Sequence, residues 1–466
     1  MKYTKQLILF IVINLLGIST NAQKSSKHIL ELTSEYHQTC IIQHVNIFDG
    51  LDSTIGLDKD VLIENGVISK IQNGGSLTND NAFFIDGTGQ TLLPGFIDAH
   101  VHLTGSGAVP WEKERAQVYH NLKAYVSAGV TTVYDMGGLA SKLGKIKDET
   151  ASGKVLGPDI YHTHIPVTVR NSHPIPLSAL MLPWPLNKMI NGISPTIDES
   201  RDADKIVKDY IKKKVDYMKI SCDQIPPGSP EMSLEQMTQI TNISHDKGLV
   251  VFAHIGSPQN AVNACKAKTD VLAHGIWRGQ LTGSQADLIA ESGVKVVYTI
   301  AGFQNVDRIN RGVFEPSELD KKLVHNCVLH PVTGTNGLDV KDQEVMNAFF
   351  ADVSDNAKYW QDNFNLLQDR AVPIAVGTDS QLPGTYAGST YHQEIKALRE
   401  LGMSNYQVLH AATYLNAHLF IKNPNFGQIS QGMLANLLLV KGNPLEDLNT
   451  VFHPTMIMKR GRVLNQ

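Results

Sequence analysis

Pro94-Gly95-Phe96-Ile97-Asp98-Ala99-His100-Val101-His102 is the stretch on which the fold turns. A Pro-Gly pair opens it, a mainly apolar run follows, and it closes on two histidines two positions apart. Residues two apart on a strand face the same way. His100 and His102 would therefore point together, with both imidazoles able to hold one metal ion. Ligands at the C-terminal end of an apolar strand are what a parallel barrel places at its mouth.

Working outward, apolar strands alternate with helical stretches between Pro94 and about Asn425. Candidate strands end near His102, Asp135, His164, Lys219, His254, His274, Thr299 and Asp379. Eight strand–helix units over residues 94–425 predict an α/β fold, a (β/α)8 TIM-like barrel. Ser404-Asn405-Tyr406-Gln407 is a capping-box pattern, and a helix is expected from Val408 to Phe420. Residues 302–370 form a long insertion before the last strand. Its charged second half reads as helical and is a candidate lid or contact in a homo-oligomer.

Both ends of the chain read differently. Ile41–Ile47, Val61–Ile71 and Phe83–Ile85 are strand-like, with Asn65-Gly66 as a hairpin turn. Ala435–Val440 and Thr455–Met458 are strand-like too, and Arg460-Gly461-Arg462 is turn-like. A small β-sandwich built from residues 38–93 plus 426–466 is the expected second domain.

Lys2 and Lys5, the apolar run Leu7–Ile18 broken only by Asn14, and Thr20-Asn21-Ala22 make residues 1–22 an expected cleavable signal peptide. The run is too short to span a bilayer, so no stable membrane insertion is expected after cleavage, and the location would be secreted or periplasmic. The 41 basic and 45 acidic residues give a charge of −4, and cleavage after Ala22 removes two lysines to make it −6. That balance offers nothing to nucleic acid. With 42% hydrophobic and 18% charged residues, the 466-residue chain has a globular composition. Cys40, Cys222, Cys265 and Cys327 are widely spaced, with no Cys-x-x-Cys pair, and are expected as free, mostly buried thiols.

More chemistry-bearing residues fall at predicted strand ends. An ammonium at Lys219, on the inner end of a strand, is costly to desolvate. It must pair with a neighbour such as Asp223, lose its proton, or be modified. Uptake of CO2 would make it a carbamate, whose two oxygens could bridge metal ions about 3.5–4 Å apart. His254 and His274 close adjacent strands. A lone strand-end histidine usually belongs to the core, but two of them after a His-x-His and a lysine point to ligation. Asp379 could ligate metal and move a proton from water to a leaving nitrogen, or merely cap the following helix.

In this order, these residues resemble the amidohydrolase superfamily, in its imidazolonepropionase-like branch that includes metal-dependent Xaa-Pro dipeptidases. The likeness also covers Gly129–Gly138, Gly377-Thr378-Asp379, Ala411–Ala417 and Gly442-Asn443-Pro444-Leu445. It implies His100, His102 and Asp379 on a first metal, His254 and His274 on a second, and a CO2-modified Lys219 bridging both together with a hydroxide. Zn2+, about two per chain, suits an imidazole-rich set, with other divalent metals as alternatives. The implied activity is hydrolysis of a C–N bond in a small amide or dipeptide. The position of His173 resembles the Gly-Gly-His of the family, so it could polarise the scissile carbonyl or grip the ligand. Arg170 could fork onto a substrate carboxylate.

The chain departs from the family pattern at several places. Asn436 stands where the family usually has Asp. Tyr134 stands where Arg is frequent, and no His precedes Gly388, although His392 fits some relatives. Two other functions stay open: a mononuclear deaminase or cyclic-amide (lactam or imidazolone) hydrolase, and a catalytically inactive small-molecule-binding protein.

Overall fold

The computed structural model describes residues 30, 32–105, 107, 117–180, 186–198, 200–326, 328–329, 340–380 and 382–465. The expected signal peptide and Cys327 lie outside them. Among the described residues, Cys40, Cys222 and Cys265 are buried free thiols, and no helix is long and apolar enough to cross a membrane.

The two ends of the chain meet in one nine-stranded sheet. The first segment supplies β1 (Thr33–Tyr36), β2 (Thr39–Ile47), β3 (Gly56–Glu64), β4 (Val67–Asn73), β5 (Phe83–Asp86) and β6 (Gln90–Pro94). The order is β1, then three strands from the far end of the sequence, then β6, β2, β3 and β4, with β5 beside β2. Cys40, Val45, Val61, Leu92, Leu437 and Met458 share one apolar core across the two segments. The β3–β4 hairpin turns at Asn65 (φ 52°) and Gly66 (φ 78°). Two successive positive φ values match the right-handed twist of the flanking strands, which is why Asn-Gly marked this turn in the sequence.

Eight parallel strands follow: β7 (Phe96–Val101), β8 (Val130–Asp135), β9 (Asp159–His162), β10 (Met218–Ser221), β11 (Val251–His254), β12 (Val271–Ala273), β13 (Lys295–Val297) and β14 (Ile374–Ala375). Their hydrogen-bonded ladders form two runs, β7-β8-β9 and β10 to β14. Two seams close the ring. Val167 N donates to Lys219 O (2.9 Å) and Ser221 N to Val167 O (2.8 Å) on one side. Ala99 N donates to Val376 O (3.1 Å) and Asp379 N to His100 O (2.8 Å) on the other. β14 is shorter than its apolar sequence suggests because the chain crosses the second seam at Gly377. A Cβ there would lie 2.4 Å from Val297 and 2.9 Å from the His100 Cβ. Only glycine lets the two backbones approach this closely.

Aromatic rings fill the barrel floor. Phe420 packs against Tyr134 (4.9 Å between centroids), Tyr217 (5.0 Å) and Tyr161 (5.3 Å). Tyr134, which stands where Arg is frequent in the family, belongs to this floor, and its hydroxyl donates to Asn416 O at 2.9 Å. His392 is likewise a core residue, bonded to Ala128 O at 2.9 Å.

The last barrel helix starts at the expected capping box, Ser404 to Gln407. It is not regular throughout: Ala411–Leu415 widens into a π turn. Just beyond it, the Asn416 amide donates to Ile97 O (2.6 Å) and Val376 O (2.7 Å) and accepts from Val376 N (3.1 Å). One side chain thus ties β7 to β14. Wide turns of this kind are how helices re-aim such groups. Insertion 302–370 contributes the helices Glu318–Leu323, Val340–Asn356 and Trp360–Gln368.

The last segment adds β15 (Leu437–Lys441), β16 (Met456–Lys459) and β17 (Arg462–Asn465), with β15 antiparallel to β6. Asn436 joins sheet to barrel. Its amide donates to Asp159 Oδ2 of β9 at 3.0 Å, and its Oδ1 accepts from Arg460 N at 3.0 Å. The buried acid already present is Asp159, which explains an amide at 436. Asn436→Asp would set two carboxylates face to face. A loss of about 1–3 kcal/mol is expected, read as a lower midpoint of thermal unfolding at pH 7. An unchanged midpoint would refute this account of Asn436.

Candidate metal centre

The strands bring His100 and His102 of β7 to Asp379, which lies just past β14. His100 Nε2 is 3.3 Å and His102 Nε2 3.1 Å from Asp379 Oδ1. One donor atom from each of the three lies within 4.8 Å of the others, a spacing able to hold a metal ion. His102 turns its Nδ1 to Gly137 O at 3.2 Å, which fixes the proton there and leaves Nε2 for a metal.

His254 and His274 follow at once. His274 Nε2 lies 4.0 Å from Asp379 Oδ2 and 2.8 Å from His254 Nδ1. Its own Nδ1 bonds Thr299 Oγ1 at 2.8 Å. The His100 and His274 rings are 4.6 Å apart between centroids, and His254 and His274 are 4.3 Å apart. His173 joins the group, its half-buried ring tilted against His254 at 4.5 Å. Burial first, and the nearby cationic groups second, hold His100, His173, His254 and His274 well below the usual imidazole range. Neutral imidazole is the form that ligates metal. Burial also pulls on His102, but its bond to Asp379 and the charge of that carboxylate lift it above its ordinary value.

Lys219 points into the same cluster from β10. Its side chain is 2% exposed, and its ammonium has no hydrogen-bond partner among the described residues. The pairing with Asp223 does not form, because Asp223 is taken by Arg278. Burial pushes Lys219 down to about 7, against the pull of Asp379. A buried, unpartnered lysine is a group awaiting a modification or a ligand.

Arg170 is not in this cluster. Its guanidinium is exposed and bonded to Asp198 at 3.1 Å. A loop arginine near His173 in sequence gains most by staying solvated against an exposed acid. Tyr298 belongs to the core, under the glycine at 275.

Several supporting groups have no sequence signature. Buried Asp98 accepts from Thr378 Oγ1 (2.7 Å), Thr378 N (3.0 Å) and His100 N (3.2 Å) and so joins β7 to the Asp379 turn. Buried Glu394, pushed up to about 8 by desolvation, accepts from Ile300 N (3.0 Å) and Ala301 N (2.7 Å). It braces the turn that presents Thr299 to His274. His274, Thr299 and Asp379 all have positive φ (98°, 53° and 52°). Such backbone costs on the order of 1–3 kcal/mol per residue and collects where a site needs it.

Residues 91–464 match the model of the amidohydrolase family. Among curated proteins, the chain is 34% identical over 93 residues to a dihydroorotase of Elusimicrobium minutum (strain Pei191), covering 20% of either chain. It is 34% identical over 108 residues to an adenine deaminase of Bacillus pumilus (strain SAFR-032), 23% of this chain and 16% of that one. The matches thus span about a fifth or less of these relatives. A crystal structure of a Xaa-Pro dipeptidase with methionine bound in its active site superposes with a TM-score of 0.74 at 22% identity, covering 91% of this chain and 99% of that one. That likeness shows a shared fold.

Proposed function

The chain belongs to the amidohydrolase family, and on that premise we propose that it is a hydrolase holding two divalent cations, zinc in the first instance. It cuts an amide C–N bond in a small peptide-like substrate, with a dipeptide ending in proline as the concrete form to test first. The observation that carries this is the meeting of His100, His102, Asp379, His254 and His274 around one buried, unpartnered Lys219. The donor set fits cations. The imidazoles of His100, His254 and His274 are held neutral, and one carboxylate reaches both histidine pairs, at 3.1–3.3 Å through Oδ1 and 4.0 Å through Oδ2.

In this reading His100, His102 and Asp379 hold the first cation, His254 and His274 hold the second, and Lys219, as its CO2 adduct, joins them. Cations bound there supply Lewis acidity toward the substrate carbonyl and make water a nucleophile near neutral pH. Asp379 is placed to take the proton from the attacking water and return it to the leaving nitrogen. His173, half-buried beside His254, orients the carbonyl. The apolar run Leu7–Ile18 followed by Thr20-Asn21-Ala22 assigns this work to the far side of the cytoplasmic membrane.

Protein purified with Zn2+ and bicarbonate should contain about two cations per chain. It should hydrolyse members of a dipeptide and N-acyl amino-acid library, and lose that activity on chelation. Full activity in cation-free protein would reject the proposal. A second reading has one observation in its favour: among the described residues, only His100, His102 and Asp379 form a group with metal-holding spacing. It is a single-cation enzyme that deaminates or opens a cyclic amide. One cation per chain together with turnover of such substrates would establish it instead.

A further inference from the structure

Resting on the two-cation reading, we propose that Asp223, clamped by Arg278 against Asp352 of the long insertion, is the positioning residue of His254 and sets the affinity of the second cation position. The argument begins with a proton. A neutral imidazole carries one N–H. His254 turns Nδ1 to the point it shares with His274 Nε2, 2.8 Å away. With Nδ1 given to a cation, the proton must sit on Nε2 and needs an acceptor.

That acceptor is in place. His254 Nε2 is buried and has no partner among the described residues, and the same holds for Asp223 Oδ2. The two atoms face each other at 3.6 Å. This is just beyond hydrogen-bond length, and a shift of about half an ångström joins them. Left apart, each would carry the cost of a buried unsatisfied group. Gly256 provides the room, since a Cβ there would sit 2.1 Å from Asp223 Oδ2.

The carboxylate cannot swing away. Its Oδ1 accepts from Gln224 N at 2.7 Å and from the Arg278 guanidinium. Arg278 lies over the Trp277 ring, donates to Gln224 O at 2.9 Å, and binds Asp352 Oδ2 at 2.6 Å. Asp352 belongs to the insertion helix Val340–Asn356, and Asn356 of that helix accepts from Gly279 N at 2.8 Å. The insertion therefore grips the loop after β12 on both sides of Arg278, and its contribution to the site is to hold this clamp.

The test is competition between protein and chelator for Zn2+ in the presence of bicarbonate, which resolves the two affinities. Asp223→Asn keeps the shape but must offer an N–H to either Arg278 or His254. It should weaken the second cation about 10–100-fold and leave the first unchanged. Asp352→Asn, which touches no ligand, should weaken the same cation by a smaller factor. The thermal midpoint of each cation-free variant is recorded alongside. Equal weakening of both cations, or a lowered midpoint with both affinities intact, overturns the proposal. Wild-type protein with two cations and variants with unchanged affinities also overturns it. Wild-type protein holding one cation or none overturns the two-cation reading itself.

Discussion

Lys219→Ala should carry one cation per chain instead of two and lose on the order of a thousandfold in kcat/KM, the rate equivalent of several kcal/mol of cation stabilisation. The reason lies in what Lys219 lacks. Its ammonium is buried near the imidazoles of His100, His173, His254 and His274 with no hydrogen bond of its own, and burial brings it down to about 7. A large fraction is therefore the neutral amine near pH 7, the form that adds to CO2. The product would replace a costly buried cation by a carbamate, an anion able to hold cations together with the imidazoles and Asp379. Alanine removes that anion and leaves a space. Small carboxylic acids added with Zn2+ should enter it and restore part of the turnover. Wild-type activity in Lys219→Ala would refute the bridging role, and rescue by chloride as strong as by acetate would refute the carboxylate explanation.

Asp159→Ala should cost about 3–5 kcal/mol of stability, the loss expected when one partner of a buried ion pair is removed. Asp159 lies on β9 and binds Lys459 at 2.7 Å and Arg460 at 3.0 Å, both at the end of β16, as well as Asn436. Burial opposes its charge, but the two cations outweigh that and hold its carboxyl below the usual range. Without it, the buried Lys459 faces Arg460 with no counter-charge. For a chain of this size the thermal midpoint should fall by about 3–5 °C. Burial already draws Lys459 down to about 8. A folded-state pKa below the unfolded one means the folded chain sheds this proton first as pH rises. Removing Asp159 takes away the group that holds this pKa up, so the gap between variant and wild type should narrow as pH rises toward about 8, where the lysine no longer needs its partner. Adding Lys459→Met should recover part of the loss. An unaltered midpoint, or one that falls further with Lys459→Met, would contradict this view of the sheet–barrel junction.

The grouping of the candidate metal ligands was legible where chemistry is local to a strand. Alternation alone paired His100 with His102, and His254, His274 and Asp379 could be found because apolar runs stop at them. The braces were not legible. Asp98 meets Thr378, Glu394 meets Ile300, and Asn416 meets Ile97 across 280, 94 and 319 positions of chain. No pattern within one segment encodes such a partner. Arg170, a candidate fork for a substrate carboxylate, lies apart from the cluster, because neighbours in a loop need not face the same way and its charge stays in water with Asp198. For the sheet, turn chemistry at Asn65-Gly66 and Arg460-Gly461 was readable, whereas the β6–β15 pairing joins segments some 345 positions apart.

That last pairing sets an order of events during synthesis. When β6 leaves the ribosome, the strand that will lie beside it does not yet exist, and more than three hundred residues must be made before Leu437 arrives. Until then the backbone edge of β6 that will pair with β15 stays open. A chain built this way depends on holding factors for longer than one whose neighbours in space are neighbours in sequence.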